Sequence, residues 1–212
     1  MCGLYVTIAG TMGVGKTTVS QVLRKRLKNA FLMEEHFAEN HFLTRFYDDM
    51  SRWAFHSQSF FMMEKINQNK EAVRLLQQYD VVIQDTPIMQ DVFSYAKAQY
   101  IQGNMDDAEF GLYTKIYAGF VENLRQPDVI IYLEADIETL VDRLEKRNRS
   151  FEQDIPRDYL LLLDRLNKDW LKKEDHTKIM RIDTTDIDLR ENSPDSDDFM
   201  QTFMHKYIHA NE

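Results

Sequence analysis

Leu4-Tyr5-Val6-Thr7-Ile8-Ala9-Gly10-Thr11-Met12-Gly13-Val14-Gly15-Lys16-Thr17-Thr18 is the stretch that decides the architecture. Its apolar first half ends at Gly10, and from Lys16 onward Val19, Val22, Leu23 and Leu27 recur at helical spacing. The segment therefore reads as strand, glycine loop and helix. Gly10 to Thr17 fits G-x-x-x-x-G-K-[ST], the P-loop pattern, in the strand-to-helix context that the pattern requires. Gly10, Gly13 and Gly15 let backbone N–H groups curl around phosphate oxygens, and the helix start at Lys16, Thr17 and Thr18 adds the positive end of its dipole. Lys16 is placed to reach the β- and γ-phosphates of a nucleotide, and the Thr17 hydroxyl suits a Mg2+ ion.

The rest of the chain repeats the alternation. Ala30 to Met33 is a second short apolar run, followed by Glu34-Glu35-His36. Trp53 to Gln78 lacks Gly and Pro and reads as one long helix. Val81-Val82-Ile83-Gln84-Asp85 is a buried type of strand stopped by Thr86-Pro87. Helical patterns follow at Asp91 to Tyr100 and, beyond Gly103, where Phe110, Tyr113, Tyr117, Val121 and Leu124 share a face. Val129 to Leu133 is a further strand, and Asp136 is placed to cap a helix carrying Ile137, Leu140, Val141 and Leu144. A helix from about Pro156 to Lys172, a strand at Ile179 to Ile182, an acidic loop from Asp183 to Asp198 and a last helix from Phe199 to His209 complete the reading. Strands alternating with helices imply a parallel sheet with ligands at its carboxyl edge. Gly10 to Thr17, Glu34-Glu35 and Asp85 each follow a strand end. The expected fold is therefore α/β, a P-loop NTPase-type three-layer α/β/α with a five-stranded parallel sheet. No repeat or linker divides residues 1–212, so one domain is expected.

Composition narrows the function. The 212 residues, 43% of them apolar and 12% aromatic, supply ample core, which excludes disorder as the organising principle. A net charge of −9 argues against a partner that is a nucleic-acid polymer, so an anionic ligand must be held by a local site. One cysteine, Cys2, forms neither an internal disulfide nor a cysteine-based zinc site. No run approaches the ~20 apolar residues of a membrane span, and no basic leader precedes the first strand, so no membrane partner and a cytoplasmic location are expected. His205 and His209 have metal-ligand spacing but no third ligand, and read as surface residues.

A P-loop alone does not separate a switch GTPase, a motor and a small-molecule kinase. No N-K-x-D guanine signature is present. Asp85 at its strand end is a natural acidic partner for the metal, the alternative being a turn cap. Arg147 and Arg149, after the fourth strand's helix, suit an Arg-rich lid over a transferring phosphoryl group, the alternative being a solvated helix end.

Together, these motifs resemble the deoxyribonucleoside kinases, especially the bacterial deoxyadenosine/deoxyguanosine type. The likeness covers positions 4 to about 172: the P-loop; Glu35; Tyr47; Trp53-Ala54-Phe55 with Gln58; Asp85 and Asp91; and Arg147-Asn148-Arg149-Ser150-Phe151-Glu152-Gln153-Asp154-Ile155, which is similar to the family's lid. The resemblance implies transfer of the γ-phosphoryl group of ATP, with Mg2+, to the 5′-hydroxyl of a deoxynucleoside. Glu35 is then the general base, a role suited to a carboxylate at a strand's carboxyl end. Gln58 is implied as the base reader, Tyr47 and Glu152 as partners of the sugar 3′-hydroxyl, and Tyr95 as a ring stacked on the base. Lys65 lies seven residues, two helical turns, after Gln58 and shares its face. In the family that position is often an Arg paired with the acid at Asp91, which leans the reading toward a purine deoxynucleoside. Family members are commonly dimeric, so a homodimer is implied, and periodicity leaves open whether the Phe110–Val121 face packs a core or a partner.

One departure stands out. The family's Asp/Glu-Arg-Ser at the third strand is here Asp85-Thr86-Pro87, and loss of a phosphoryl-clamping Arg costs on the order of 10³ in rate if nothing replaces it. Arg147, Arg149, Arg45 and His36 are the candidate substitutes. The competing readings are a nucleoside monophosphate kinase and a catalytically weakened nucleotide-binding subunit of a kinase pair.

Overall fold

A computed structural model describes residues 3–35, 37–147, 155–174 and 177–209. Strand β1 (Leu4–Ala9) leads through the glycine loop into α1 (Lys16–Arg26), then β2 (Ala30–Met33), a short 3-10 turn at Phe37–Glu39, α2 (Leu43–Asp48) and the long α3 (Met50–Leu75). Strand β3 (Val81–Asp85) precedes a broken helical stretch: α4 (Ile88–Gln90), π-helical turns at Asp91–Ala96 and α5 (Lys97–Ile101). After it come α6 (Asp107–Val121), β4 (Val129–Glu134), α7 (Ile137–Arg147), α8 (Arg157–Leu171), β5 (Lys178–Asp183) and α9 (Pro194–Phe203) with a π-helical end at Met204–Ile208.

The sheet has five strands in the order β2-β3-β1-β4-β5, every pair parallel, with Val6 opposite Ile83 on one side and Val129 on the other. Alternation along each strand splits the core between two faces. Val6, Ile8, Ile83, Ile131 and Leu133 pack with Val19, Leu23, Leu140, Leu144, Phe199 and Phe203 of α1, α7 and α9. Ile130 and Tyr132 pack on the opposite face with Met62 and Ile66 of α3, Tyr113 and Tyr117 of α6, and Trp170 of α8. This is the expected three-layer arrangement. It also answers the question left by periodicity in α6: Tyr113 and Tyr117 are core, while Leu112 is half exposed.

Helix α2 was not expected from the sequence, and two helix starts shift in ways that their caps explain. Helix α3 begins at Met50, where the Asp49 side chain accepts from the Arg52 N–H. Helix α9 begins at Pro194, inside the stretch expected to be an acidic loop. Ser193 caps it by accepting from the Ser196 N–H, Pro194 opens the first turn, and Asp195 and Asp197 face the positive end of the helix dipole. The acids that suggested solvent-exposed loop are the ones a helix start favours.

Candidate active site

The carboxyl ends of β1, β2 and β3 open into a cleft of about 940 Å3. Its floor is the glycine loop. At Gly10, φ is 142° and a Cβ would run into the Leu133 carbonyl oxygen, so only glycine allows β4 to approach. The buried Gln90 side chain accepts from the Gly10 N–H at 2.9 Å and donates to the Gly10 carbonyl at 2.8 Å, closing the loop's first residue in a two-bond rung. Lys16 Nζ also donates to the Gly10 carbonyl, at 2.9 Å. Burial pushes the Lys16 ammonium down, and the Asp85 and Glu35 carboxylates oppose that shift.

Thr17 Oγ1 donates to Asp85 Oδ2 at 2.8 Å. Burial and Glu35 raise the Asp85 carboxyl, while Lys16 and Lys65 hold it down. A hydroxyl and a carboxylate side by side at the start of α1 are hard oxygen donors that fit Mg2+, an ion that takes few protein ligands and completes its shell with phosphate oxygens and water. Among the described residues no group of three or more His, Cys, Asp or Glu side chains forms a metal cage. After Asp85 the chain turns at Thr86, which is buried at a φ of 60°, a left-handed backbone unusual for a β-branched residue, with its N–H donating to the Ile8 carbonyl.

Glu35 sits in the loop after β2 and lines the cleft together with Tyr47, Gln58, Asp91 and Tyr95. Two of these carry buried acceptors with no hydrogen-bond partner, Gln58 Oε1 and Asp91 Oδ2. Burial pushes the Asp91 carboxyl up to about 7 even though Lys65 pulls it down. Lys65 itself is 1% exposed and stands behind the lining. Its ammonium ion-pairs with Glu35 Oε1 at 3.1 Å and donates to the Asp85 carbonyl at 2.7 Å, rather than pairing with Asp91. Burial opposes its charge, but Glu35, Asp91 and Asp85 outweigh burial and hold it above the ordinary lysine range.

The opposite wall comes from α7 and the segment after β5. Arg147 lines it, and one turn earlier Arg143 donates to the Val14 carbonyl and to both Thr184 Oγ1 and the Thr184 carbonyl, tying the glycine loop to that segment. Of the residues expected in the site, Gly13, Gly15, Lys16, Thr17, Thr18, Glu35, Tyr47, Gln58, Asp85, Asp91, Tyr95 and Arg147 line one cleft. Gly10 and Lys65 support it from behind, and Arg149 and Glu152 lie outside the described residues. Gln90, Arg143 and Tyr159 were not anticipated. Arg143 had a signal, its spacing of one helical turn from Arg147, whereas Gln90 sits in a stretch with no recognisable pattern.

A central P-loop between β1 and α1, an acid at the end of the neighbouring strand and a cleft over both define a P-loop NTPase-type protein. A family model described as deoxynucleoside kinase matches residues 6–209. The chain belongs to that family and is a deoxynucleoside kinase. It is 32% identical over 186 residues to the deoxyadenosine/deoxycytidine kinase of Bacillus subtilis (strain 168), covering 87% of this chain and 84% of that one. A deoxyguanosine kinase of the same organism is 28% identical over 156 residues, 74% of this chain and 72% of that one. Among solved structures, deoxyadenosine kinase from M. mycoides with dCMP and dCDP bound superposes with a TM-score of 0.81 at 24% identity, covering 95% of this chain and 99% of that one. The same enzyme with bound dATP gives a TM-score of 0.80. These superpositions establish the shared fold.

Proposed function

We propose that the chain transfers the γ-phosphoryl group of ATP to the 5′-hydroxyl of a deoxynucleoside whose base carries an exocyclic amino group beside an unprotonated ring nitrogen on its Watson–Crick edge, adenine or cytosine. One observation carries this reading: a single cleft is lined both by a phosphate cradle at Lys16 and Thr17 and by two residues with buried unpartnered acceptors, Gln58 Oε1 and Asp91 Oδ2. An amino group offers two donors to those acceptors, and Gln58 Nε2 donates to the adjacent ring nitrogen. Of the purines expected from the sequence this reading keeps adenine and sets guanine aside, and it adds cytosine, in line with a relative whose name pairs deoxyadenosine with deoxycytidine.

Lys16 binds the donor phosphates, whose negative charge favours its ammonium form. Thr17 and Asp85 would hold Mg2+, which would supply positive charge to neutralise the donor's phosphates. Glu35 accepts the proton of the 5′-hydroxyl as its oxygen bonds to the γ-phosphorus. The bond from that phosphorus to ADP breaks, leaving a deoxynucleoside monophosphate. Tyr47 holds the sugar 3′-hydroxyl, Tyr95 stacks on the base, and Arg147 neutralises the transferring group; the roles that the resemblance gives to Glu152 and Arg149 fall on residues outside the described ones. A homodimer is part of the proposal, supported by the exposed apolar side chains Phe93, Ile101 and Leu112, and is tested by sedimentation.

Turnover of ATP-Mg2+ with each common deoxynucleoside and each monophosphate, beside Glu35→Gln, tests the reaction. Phosphorylation of deoxyadenosine or deoxycytidine that falls by about 10²–10⁴ in Glu35→Gln is the expected result. Turnover of monophosphates alone identifies a monophosphate kinase, and ATP binding without any turnover identifies a nucleotide-binding subunit.

A further inference from the structure

Lys65 is among the largest fully buried side chains of the protein, and a buried ammonium demands an explanation, because burial alone would neutralise it. Its partners supply one. The Glu35 carboxylate at 3.1 Å and the Asp85 carbonyl at 2.7 Å join the loop after β2 to the end of β3 through a single cation on α3. One turn along the same helix, Gln68 Nε2 donates to the Glu34 carbonyl at 2.8 Å, while Gln68 Oε1 accepts from Gln84 of β3 at 3.0 Å. Two side chains of α3, each braced on β3, therefore hold consecutive residues of the loop that carries Glu35. Lys65 does not line the cleft, so it acts on Glu35 and not on a base.

We infer that Lys65 is a positioning residue for Glu35: its ion pair fixes the carboxylate at the end of β3, and so supplies from α3 the positive charge that the turn after β3, with threonine at position 86, does not carry. This rests on the reading of Glu35 as the base. Residue 86 cannot make that contact here, because its short hydroxyl is turned to its neighbour, Asp85 Oδ1, at 3.3 Å. Arg45, another candidate cation, lies over the Trp53 ring, 5.1 Å from its centroid. With lysine rather than arginine, the charge is compact and fits between a carboxylate and a carbonyl without needing a planar fork.

A double-mutant cycle with ATP and deoxyadenosine tests the inference, using Lys65→Gln, Gln68→Leu, Glu35→Gln and their combinations. Lys65→Gln is expected to lower kcat by about 10²-fold, with the KM for ATP within about twofold of wild type, since a misplaced base slows the transfer without loosening the phosphate cradle. In the Glu35→Gln background neither Lys65→Gln nor Gln68→Leu should lower kcat further, and Lys65→Arg should recover most of the loss. Should Lys65→Gln not fold, Gln68→Leu carries the test alone: its expected loss of about tenfold in kcat must vanish in Glu35→Gln. Losses that multiply in the combined variants, or a Lys65→Gln variant that raises the KM for ATP and leaves kcat at the wild-type value, overturn the inference and leave the function standing. A Glu35→Gln enzyme as active as wild type overturns both.

Discussion

Asp91 is poised to read its ligand in two ways. With its carboxyl pushed up to about 7 by burial, the ionised form is a pure acceptor for an amino group, while the protonated form offers an O–H to a keto oxygen. The ratio of kcat/KM for deoxyadenosine over deoxyguanosine is therefore expected to rise as pH is raised through about 7, and Asp91→Asn, which always carries donors, should flatten that dependence and favour deoxyguanosine. At the cradle, Thr17→Ala removes the hydroxyl beside Asp85 and should lower kcat by about 10²-fold, with Thr17→Ser nearly wild type in the same assay. Lys16, Thr17 and Asp85 were legible because the P-loop pattern and a strand end fix their places. Glu35 and Gln58 were legible because their surroundings resemble a family. The Lys65–Glu35 pair was not, since spacing reports which face of α3 a residue shares and says nothing of the loop that lands on it. Nor does sequence announce that Thr86 adopts a positive φ.

At the level of elements, the break between α4 and α5 does the most for the site. The π-helical turns at Asp91–Ala96, with their i→i+5 bonding, carry both Asp91 and Tyr95 into the cleft. Immediately before them Gln90 braces Gly10, and the buried Asn167 of α8 accepts from Ser94 and donates to Thr11, so the same stretch supports the glycine loop twice. Gln90→Leu leaves the Gly10 N–H buried without its partner and is expected to cost about 1–3 kcal/mol in urea unfolding, with weaker binding of a non-hydrolysable ATP analogue. Unchanged stability and affinity would remove Gln90 from the cradle. The sequence offered a plain helix here because a π turn has no composition of its own. At α9 the signal was present, Ser193 followed by Pro194, but a run of acids read as loop concealed it.

Across the whole molecule, charge and topology pull in directions that can be measured. Asp85 and Asp91 both hold protons more tightly when folded than in the open chain, so the folded state binds more protons between the ordinary carboxylate range and about pH 7. Stability from these two groups is complete below about pH 4 and declines as pH rises through about 7. Tm should fall over that window, and less steeply in Asp91→Asn. Exposed carboxyls such as Asp188, drawn down to about 2 by the Arg190 side chain, act in the opposite sense and only at lower pH. Strand–helix alternation made the parallel sheet legible, but not its order, for nothing in a strand's residues states which neighbours it will take. That order bears on how the chain is made. Leu4 waits for Val81, and Val6 waits for Val129, before β1 has both its partners. On a translating ribosome β1 emerges before either partner and settles only after both, and nucleotide affinity should be absent from nascent chains that end before β4 and appear only once that strand has left the exit tunnel.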